Sequence, residues 1–484
     1  MSKLLPILHV LSKLILLYSL LFLLPCAVSW LYQDGTAIDF AYSALAGGGA
    51  GSLLWLLTRR FERELKPRDG FILVALLWLT FAVMSAVPLL LYIPGMSFTN
   101  AFFEAMSGLT TTGATLIPGL DRLPPAINFW RHFLNWVGGM GIIVLAVAIL
   151  PMLGIGGMQL YKAETPGPMK DSKLAPRIAQ TAANLWYVYA GLTALCTLGL
   201  KLAGMSWLDA ICHAFAALSL GGFSTHDASV GYFDSPLIEA ILSLFMVLAA
   251  LNFATHFLAW RQRSLRNYLQ DVEARHVVGL LGISIIAISL WLSWLGIYTL
   301  PTALRHVSFN LISIATDSGF ASIDYAPWPI LVPLWMLFLS CITASSGSTG
   351  GGIKMIRTLI LTRQGMREMS NLLHPRAVLP LMLGGKAIPD SVAFSVLGFI
   401  FVYFISIVLL TFTLIASGLD FITAFTAIIA CINNAGPGLG QVGPASNYSG
   451  LSDFQTWVCS FAMLLGRLEV FTILILFTPT FWRK

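Results

Sequence analysis

Four short tracts of small or polar residues, each closed by a glycine, carry the clearest chemical signal in this sequence. The tracts are Thr110, Thr111, Thr112 and Gly113; Ser219, Leu220, Gly221 and Gly222; Thr316, Asp317, Ser318 and Gly319; and Asn433, Asn434, Ala435 and Gly436. Glycine adopts backbone angles that other residues resist, so an extended tract around it can point successive carbonyl oxygens the same way. Rings of such carbonyls replace the hydration shell of potassium. The tracts therefore predict a pore in which backbone carbonyl oxygens bind K⁺.

Each tract closes a unit that occurs four times in the chain. Without a gap, the first two copies match at Gly95/Gly204, Met96/Met205, Ser97/Ser206, Ala101/Ala210, Ala105/Ala214, Leu109/Leu218 and Gly113/Gly222. The third copy, from Pro301 to Gly319, and the fourth, from Ser417 to Gly436, are weaker and shifted. An internal repeat of this kind decides the architecture.

A short helix is expected before each tract, too short to cross a membrane. Ser97, Ser206 and Ser417 are its expected N-terminal caps in three copies. Its negative C-terminal end would point at the pore and favour cations, and Asp317 and Glu104 would add negative charge. The alternative is that the glycines are packing points between helices. Four copies in register favour the pore, because irregular backbone inside a bilayer must be buried or line a cavity.

Composition places these units in a membrane, since 57% of the 484 residues are hydrophobic and only 10% are charged. We expect an all-α membrane protein with ten transmembrane helices: four pore repeats around a central pore, and two additional N-terminal helices. The expected spans lie near 8–31, 36–58, 71–93, 128–152, 182–203, 235–260, 276–299, 328–360, 389–416 and 455–480. The corresponding units are 1–68 (two N-terminal helices), 69–165, 166–270, 271–385 (with a gating loop) and 386–484. The first run is expected to be a retained helix, not a signal peptide.

Basic residues cluster at alternate connections between these spans, after spans two, four, six and eight. Lys3, Arg483 and Lys484 place both termini on the same side as these clusters. By the positive-inside rule, this side is the cytoplasm. The net charge of +6 therefore reports membrane topology and not a nucleic-acid surface.

Two features predict a gate below the pore. Gly350, Gly351 and Gly352, followed by Lys354, would break the eighth span. A flexible break there could block the conduit; the alternative is a kink that relieves packing. Arg467 lies inside the last span, where a charge is costly. We expect it to face the pore as a barrier to cations; the alternative is a buried pair with a carboxylate on another helix.

No enzymatic signature accompanies this pattern. The six cysteines form no CxxC pair and the histidines show no metal-ligand spacing. Neither HExxH nor GxSxG is present. We therefore expect a protein that is not an enzyme and has no cofactor, with K⁺ as the transported ion.

Four segments carry a resemblance to a known family: the tract Thr110–Thr115, the Gly-Gly-Phe-Ser-Thr motif at 221–225, the segment 433–440 and the glycine-rich tract 345–352. With these segments, the sequence resembles the potassium-uptake superfamily that includes TrkH, TrkG, KtrB and the plant high-affinity transporters. The resemblance covers essentially the whole chain, including the two additional N-terminal spans of the TrkH branch. It implies potassium uptake across a bacterial inner membrane, an intramembrane gating loop, and a homodimer on a cytosolic TrkA-like ring that binds NAD(H) or ATP.

The resemblance leaves two alternatives for the ion that is selected. Gly113 stands where potassium-selective members have glycine and some sodium carriers have serine. Leu220 and Asp317 depart from the hydroxyl-rich first tract, so we expect only modest preference for K⁺ over Na⁺. The alternative is a sodium-selective or ion-coupled symporter, K⁺/H⁺ or K⁺/Na⁺, on the same scaffold.

Overall fold

A computed structural model describes residues 4–63, 65–149 and 178–483 of the chain. Its helices in chain order are α1 (Leu5–Ser19), α2 (Leu23–Tyr32), α3 (Ala37–Thr58), α4 (Pro67–Tyr92), α5 (Phe98–Leu109), α6 (Pro125–Ile149), α7 (Ile178–Leu202), α8 (Trp207–Ser219), α9 (Pro236–Ala250), α10 (Phe253–Gln262), α11 (Arg266–Gln270), α12 (Val272–Trp294), α13 (Leu300–Ala315), α14 (Leu331–Ile342), α15 (Met355–Leu373), α16 (Asp390–Ala416), α17 (Phe421–Asn433), α18 (Asp453–Arg467), α19 (Phe471–Leu474) and α20 (Pro479–Trp482). The predicted all-α membrane class is confirmed.

Six helical segments of the described residues are long and apolar enough to cross a bilayer. They are Leu5–Tyr32, Ala37–Phe61, Arg68–Tyr92, Ala183–Leu202, Val272–Trp294 and Asp390–Ala416. Large apolar side chains on their outer faces, such as Ile283, Phe401 and Leu409, are well exposed. In a bilayer these side chains would contact lipid.

Three of the predicted spans are interrupted in the structure. The chain bends by 100° between α9 and α10 and by 108° between α18 and the segment Phe471–Phe477. In the third case, α14 ends at Ile342 and α15 begins at Met355, with no helix in between. The break predicted from Gly350–Gly352 is therefore present. The total number of spans stays a prediction.

The four predicted short helices are all present, and we call them half-helices 1 to 4: α5, α8, α13 and α17. Ser97 and Ser206 cap the first two, accepting hydrogen bonds from the backbone N–H groups of Asn100 and Asp209 at 3.2 and 3.1 Å. The half-helices form the buried centre of the molecule. In half-helix 1, for example, every residue from Ala101 to Leu109 is buried.

The predicted cap of half-helix 4 is wrong. Ser417 follows the end of α16, and its hydroxyl donates to the Leu414 carbonyl at 2.6 Å. The cap is Asp420, whose carboxylate accepts from the Thr423 N–H at 3.0 Å. Both residues suit the position, so the sequence pattern alone did not distinguish them.

A small two-stranded antiparallel sheet, which the sequence did not predict, follows α15. Strand β1 (Leu381–Leu383) pairs with β2 (Lys386–Ile388) around Gly384 and Gly385, which both have positive φ.

A contact joins the first basic connection to the C-terminal end of the described chain: Arg68 donates to the Arg483 carbonyl at 2.7 Å. The C-terminal end therefore lies beside the first basic connection. The predicted boundary at 165/166 and the basic cluster Lys162–Arg177 lie outside the described residues.

Candidate functional site

The four glycine tracts have the same backbone geometry, and we call them together the ring. In each tract the residue two positions before the final glycine has positive φ: Thr111 (56°), Leu220 (55°), Asp317 (68°) and Asn434 (59°). The final glycines also have positive φ: Gly113 (79°), Gly222 (63°), Gly319 (85°) and Gly436 (87°). Four weakly similar sequences thus adopt one alternating conformation.

Each half-helix ends in the same hydrogen-bond pattern, which sets the start of its tract. In half-helix 1 the Thr112 N–H donates to the Ser107 carbonyl at 2.9 Å and the Thr111 N–H to the Gly108 carbonyl at 3.1 Å. The equivalent pairs recur in the other three: Gly221 to Ala216 and Leu220 to Ala217, Ser318 to Ser313 and Asp317 to Ile314, Ala435 to Ala430 and Asn434 to Cys431. This is a Schellman ending, in which the C′ residue is left-handed. It turns the chain out of the helix in an identical way four times.

The final glycines bring the four tracts together in a closed cycle. A Cβ atom at Gly319 would lie 2.6 Å from the carbonyl oxygen of Ala435, and one at Gly436 would lie 2.7 Å from that of Thr112. A Cβ atom at Gly113 would overlap the Gly221 carbonyl, and one at Gly222 the Ser318 carbonyl. Each tract therefore packs its glycine against the backbone of the next, and the fourth returns to the first.

All four final glycines line one cavity of about 540 Å³, a volume that includes its solvent-open mouth. Its wall also contains Arg131, His226, Asp227 and Tyr448. We call this cavity the vestibule. The predicted convergence of Gly113, Gly222, Gly319 and Gly436 on a common opening is therefore what the fold contains.

Hydroxyl groups in the tracts bond mainly within their own repeat. Thr110 donates to the Met106 carbonyl at 2.7 Å, and Thr316 donates to the Ile312 carbonyl at 2.7 Å. Only backbone carbonyls remain as a ligand type common to all four tracts.

Two of the four positive-φ residues of the tracts, Leu220 and Asp317, direct their side chains toward another part of the molecule. The Leu220 Cδ1 and the Asp317 Oδ2 lie 3.4 and 3.3 Å from where a Cβ of Gly350 would be. Gly350 belongs to the non-helical segment 343–354 between α14 and α15, which we call the loop. Leu220 and Asp317 thus connect the ring to the loop.

The expectation that Glu104 adds negative charge to the pore is wrong. Its carboxylate forms an ion pair with Arg131 at 2.8 Å, and both side chains are 1% exposed. It also accepts from the Thr115 hydroxyl at 2.9 Å and from the Leu116 N–H at 3.0 Å. Arg131 in turn donates to the Ser224 carbonyl of the second repeat at 3.3 Å. Glu104 is neutralised, and the pair braces the first two tracts from behind.

The loop packs directly against the ring on the side away from the vestibule. Gly351 lies against the Asn433 carbonyl, with no room for a Cβ. Thr349 donates from its hydroxyl to the Leu218 carbonyl at 3.0 Å. The loop therefore contacts the ends of half-helices 2, 3 and 4.

Lys354 and Arg467, the two charged residues predicted at the gate, both bond to the backbone around the loop. The Lys354 ammonium donates to the Gly350 carbonyl. The Arg467 guanidinium donates to the Thr349 carbonyl at 3.0 Å and to the Gly139 carbonyl at 3.3 Å. Glu469 pairs instead with Arg357 at 2.8 Å. Arg467 thus ties the loop to α6 through backbone carbonyls.

Comparison with known proteins identifies the family. A family model described as TrkH, a cation transport protein, matches residues 38–484. The chain belongs to the TrkH family. Members of this family are transporters, so the chain is a multi-pass membrane transport protein and not an enzyme.

Individual relatives match from end to end. The chain is 46% identical over 481 residues to the Trk system potassium uptake protein TrkH of Halomonas elongata, with 99% of each chain covered. It is 44% identical to TrkH of Escherichia coli K12, covering 98% of this chain and 99% of the relative. The crystal structure of the potassium transporter TrkH from Vibrio parahaemolyticus superposes with a TM-score of 0.90 at 44% identity, covering 99% of this chain and 100% of the other.

Two elements of the site were missed by reasoning from sequence. The Arg131–Glu104 pair joins residues on different helices, and only a lone Arg in an apolar segment hinted at it. The Glu273 carboxylate, near the start of α12, accepts from the Ser346 and Ile356 N–H groups at 2.8 and 3.2 Å. It thereby binds the start of the loop and the first turn of the helix after it. Glu273 stands in a basic, polar stretch and gave no signal.

Proposed function

We propose that the chain takes up potassium across the inner membrane of a bacterium, with the ring as a four-part selectivity filter. The observation that carries this proposal is the closed cycle of four glycine tracts opening into one vestibule. Carbonyl oxygens from four walls suit a dehydrated monovalent cation. The curated relatives carry the name of potassium uptake proteins, which supports K⁺ as the ion.

Gly113→Ser in proteoliposomes tests this proposal. Serine at this position would be left-handed, and its Cβ would meet the Gly221 carbonyl. Strain of this kind is worth about 1–3 kcal/mol, or about tenfold in an equilibrium. We expect reversal potentials to show a K⁺/Na⁺ permeability ratio about tenfold lower than in wild type. An equal Na⁺ and K⁺ permeability in the wild type would contradict potassium selectivity.

A sodium-selective or ion-coupled symporter is the alternative function on this scaffold. Coupling is distinguished from passive flow by imposing a proton or sodium gradient at zero membrane potential. Passive uptake needs only the potential, since 100 mV is worth about 2.3 kcal/mol per charge. We expect K⁺ uptake to follow the potential and to ignore the other gradients.

We propose that the loop is the gate and that Arg467 holds a positive charge below the filter. The loop's contacts with three half-helix ends support this assignment. Deleting Gly350–Gly352 is expected to raise K⁺ flux, because the remaining chain is too short to lie against the ring. Arg467→Ala is expected to raise flux as well. Lost flux in a correctly inserted Arg467→Ala variant would instead assign the arginine a structural role.

We propose that both termini are cytoplasmic and that the chain works as a homodimer on a TrkA-like ring that binds NAD(H) or ATP. The relatives' name, Trk system, indicates several components. The contact between Arg68 and Arg483 supports one side for the C-terminus and the first basic connection. Uptake in a potassium-uptake-deficient strain, measured with and without the regulator, tests the dependence; equal uptake in both would contradict it.

A further inference from the structure

One peptide group of the loop lies between two buried charges. The carbonyl oxygen of Gly350 accepts a hydrogen bond from the Lys354 ammonium. The N–H of Gly351 donates to the Asp317 Oδ2 at 3.0 Å. These two atoms belong to the same planar peptide unit. The cation therefore sits at the negative end of a single peptide dipole and the anion at its positive end.

Both side chains are deeply buried, and each makes a hydrogen bond to this peptide. Asp317 is 0% exposed and Lys354 is 7% exposed. Neither takes part in the ion pairs found among the described residues. A buried charge is stable only when it is paired and hydrogen-bonded. Here the dipole of the Gly350–Gly351 peptide joins the two charges without direct contact between them.

Lys354 holds an unfavourable backbone conformation at this position. Its φ is 76° and its ψ is 143°, although it is not glycine, and it directly precedes α15. Residues stay in such conformations only when their surroundings over-determine them. The ammonium contact with Gly350 is the interaction that the strained backbone positions. Release of that contact would let Lys354 relax.

Asp317 differs in charge from its counterparts in the ring. The equivalent positions hold Thr111, Leu220 and Asn434, all neutral. Asp317 keeps the ring's backbone conformation, donating its N–H to the Ile314 carbonyl at 3.1 Å. Its side chain meanwhile reaches the loop. Asp317 thus belongs to the ring and also bonds to the loop, and it is the acidic residue among the four equivalent positions.

We propose that Asp317 and Lys354 form a charge clamp on the Gly350–Gly351 peptide, and that this clamp is the latch that holds the loop against the ring. The inference rests on the proposed function, in which the loop gates the pore. Opening the gate requires the peptide to leave the Asp317 carboxylate, which belongs to the ring, whereas Lys354 lies within the loop and orients the peptide toward that carboxylate. Asp317 is then a positioning residue for the gate, in addition to its backbone place in the ring.

The test compares Asp317→Asn, Lys354→Met and the double variant, each as the full-length chain in proteoliposomes. Each single change is expected to raise K⁺ flux without the regulator by about tenfold, because a hydrogen bond to a charged group is lost or weakened. The double variant should exceed the larger single effect by less than about twofold, since both charges act on one peptide. Hydrogen exchange measured by mass spectrometry should become faster in residues 343–354.

Asp324→Asn is the matched control, because this exposed carboxylate lies outside residues 343–354 and accepts from the nearby Ala326 N–H. It should leave flux and exchange unchanged. If Lys354→Met fails to insert, Lys354→Gln replaces it and must also speed exchange in the loop.

Several results would overturn the clamp. Additive effects in the double variant would show that the two charges act separately. An altered K⁺/Na⁺ ratio with unchanged loop exchange in Asp317→Asn would make the side chain a determinant of selectivity. A wild type without K⁺ flux would reject the proposed function instead, while faster loop exchange in the variants would still support the clamp.

Discussion

The ring and the loop lie against each other but are held in opposite ways. The ring is built from one backbone arrangement used four times, and its tracts touch through glycines and carbonyls that leave no space. The loop occurs once, in the third repeat, and besides its backbone and hydroxyl contacts it has bonds that involve four ionisable side chains: Asp317, Lys354, Arg467 and Glu273. Backbone closure gives a fixed geometry, whereas a few charge-assisted hydrogen bonds can break together. The difference fits a fixed filter beside a moving gate.

Breaking the closure of the ring should have the largest effect. In Gly222→Ala the new methyl would overlap the Ser318 carbonyl and add left-handed strain. Strain and overpacking each cost about 1–3 kcal/mol, so we expect K⁺ uptake to fall by about a hundredfold. Rubidium uptake into cells expressing equal amounts of protein measures it.

Gly95→Ala is the control for this prediction. Gly95 also has positive φ, at 75°, but nothing lies within 4 Å of the position of its Cβ. It adds backbone strain without a clash, and it should retain most of the uptake. Equal losses in the two variants would show that strain, and not closure of the ring, limits transport.

Removing the brace behind the ring should have the next largest effect. Arg131→Met leaves the Glu104 carboxylate buried without its cation, and such a loss costs about 3–5 kcal/mol. We expect a clear fall in the apparent melting temperature of the purified protein. Adding Glu104→Gln should recover part of the loss. A double variant as unstable as the single one would mean that packing of the arginine matters more than its charge.

Weakening the anchor of the loop should have a smaller and local effect. Glu273→Gln keeps one acceptor oxygen but loses the charge that binds the Ser346 and Ile356 N–H groups. A loss of about 1–2 kcal/mol is expected, visible as faster hydrogen exchange in 343–356 and not in the ring segments. Asp453→Asn, on the exposed start of α18, serves as the control. Faster exchange in both regions would remove the distinction between ring and loop.

The rim of the vestibule should show the smallest effect, as a dependence on pH. Burial lowers the pKa of His226, but its contacts with Asp209 and Asp121 outweigh burial, so its pKa is raised above 6.5. Protonated His226 lies 2.5 Å from Asp121 and 3.5 Å from Asp209. Its stabilising contribution is present below the unfolded pKa and is lost as pH rises through the folded value.

The expected contribution is below about 1 kcal/mol, because Asp121 is partly exposed and solvent screens the pair. The apparent melting temperature of wild type should therefore fall slightly more than that of His226→Gln as pH rises from about 6 to about 8. Parallel curves would show that this rim contact adds nothing to stability.

Local signals in the chain were sufficient for much of the site. Ser97 and Ser206 correctly predict the start of two half-helices, because an N-cap side chain bonds to backbone N–H groups only a few residues away. The final glycine of each tract predicts where the tract ends, and Gly350–Gly352 predict the interruption between α14 and α15. The same local logic failed at Ser417, because Asp420 suits a cap equally well. It also failed for the interrupted helices α9/α10 and α18/α19, whose apolar sequences look continuous.

The sequence by itself determined the repeat, the membrane class, the half-helices and the glycines of the ring, since these depend on spacing, hydropathy and backbone freedom. Only the tertiary structure determined which partners the buried ionisable side chains contact. Glu104 forms an ion pair with Arg131, and Glu273 accepts hydrogen bonds from the loop. Asp317 and Lys354 bond to the two ends of the same peptide group. The physical reason is that a buried charge is stabilised by partners from elsewhere in the chain, which packing brings together and spacing along the sequence does not reveal. The four tracts of the ring can thus be recognised in the sequence, whereas the contacts of Asp317 and Lys354 with the Gly350–Gly351 peptide depend on the fold.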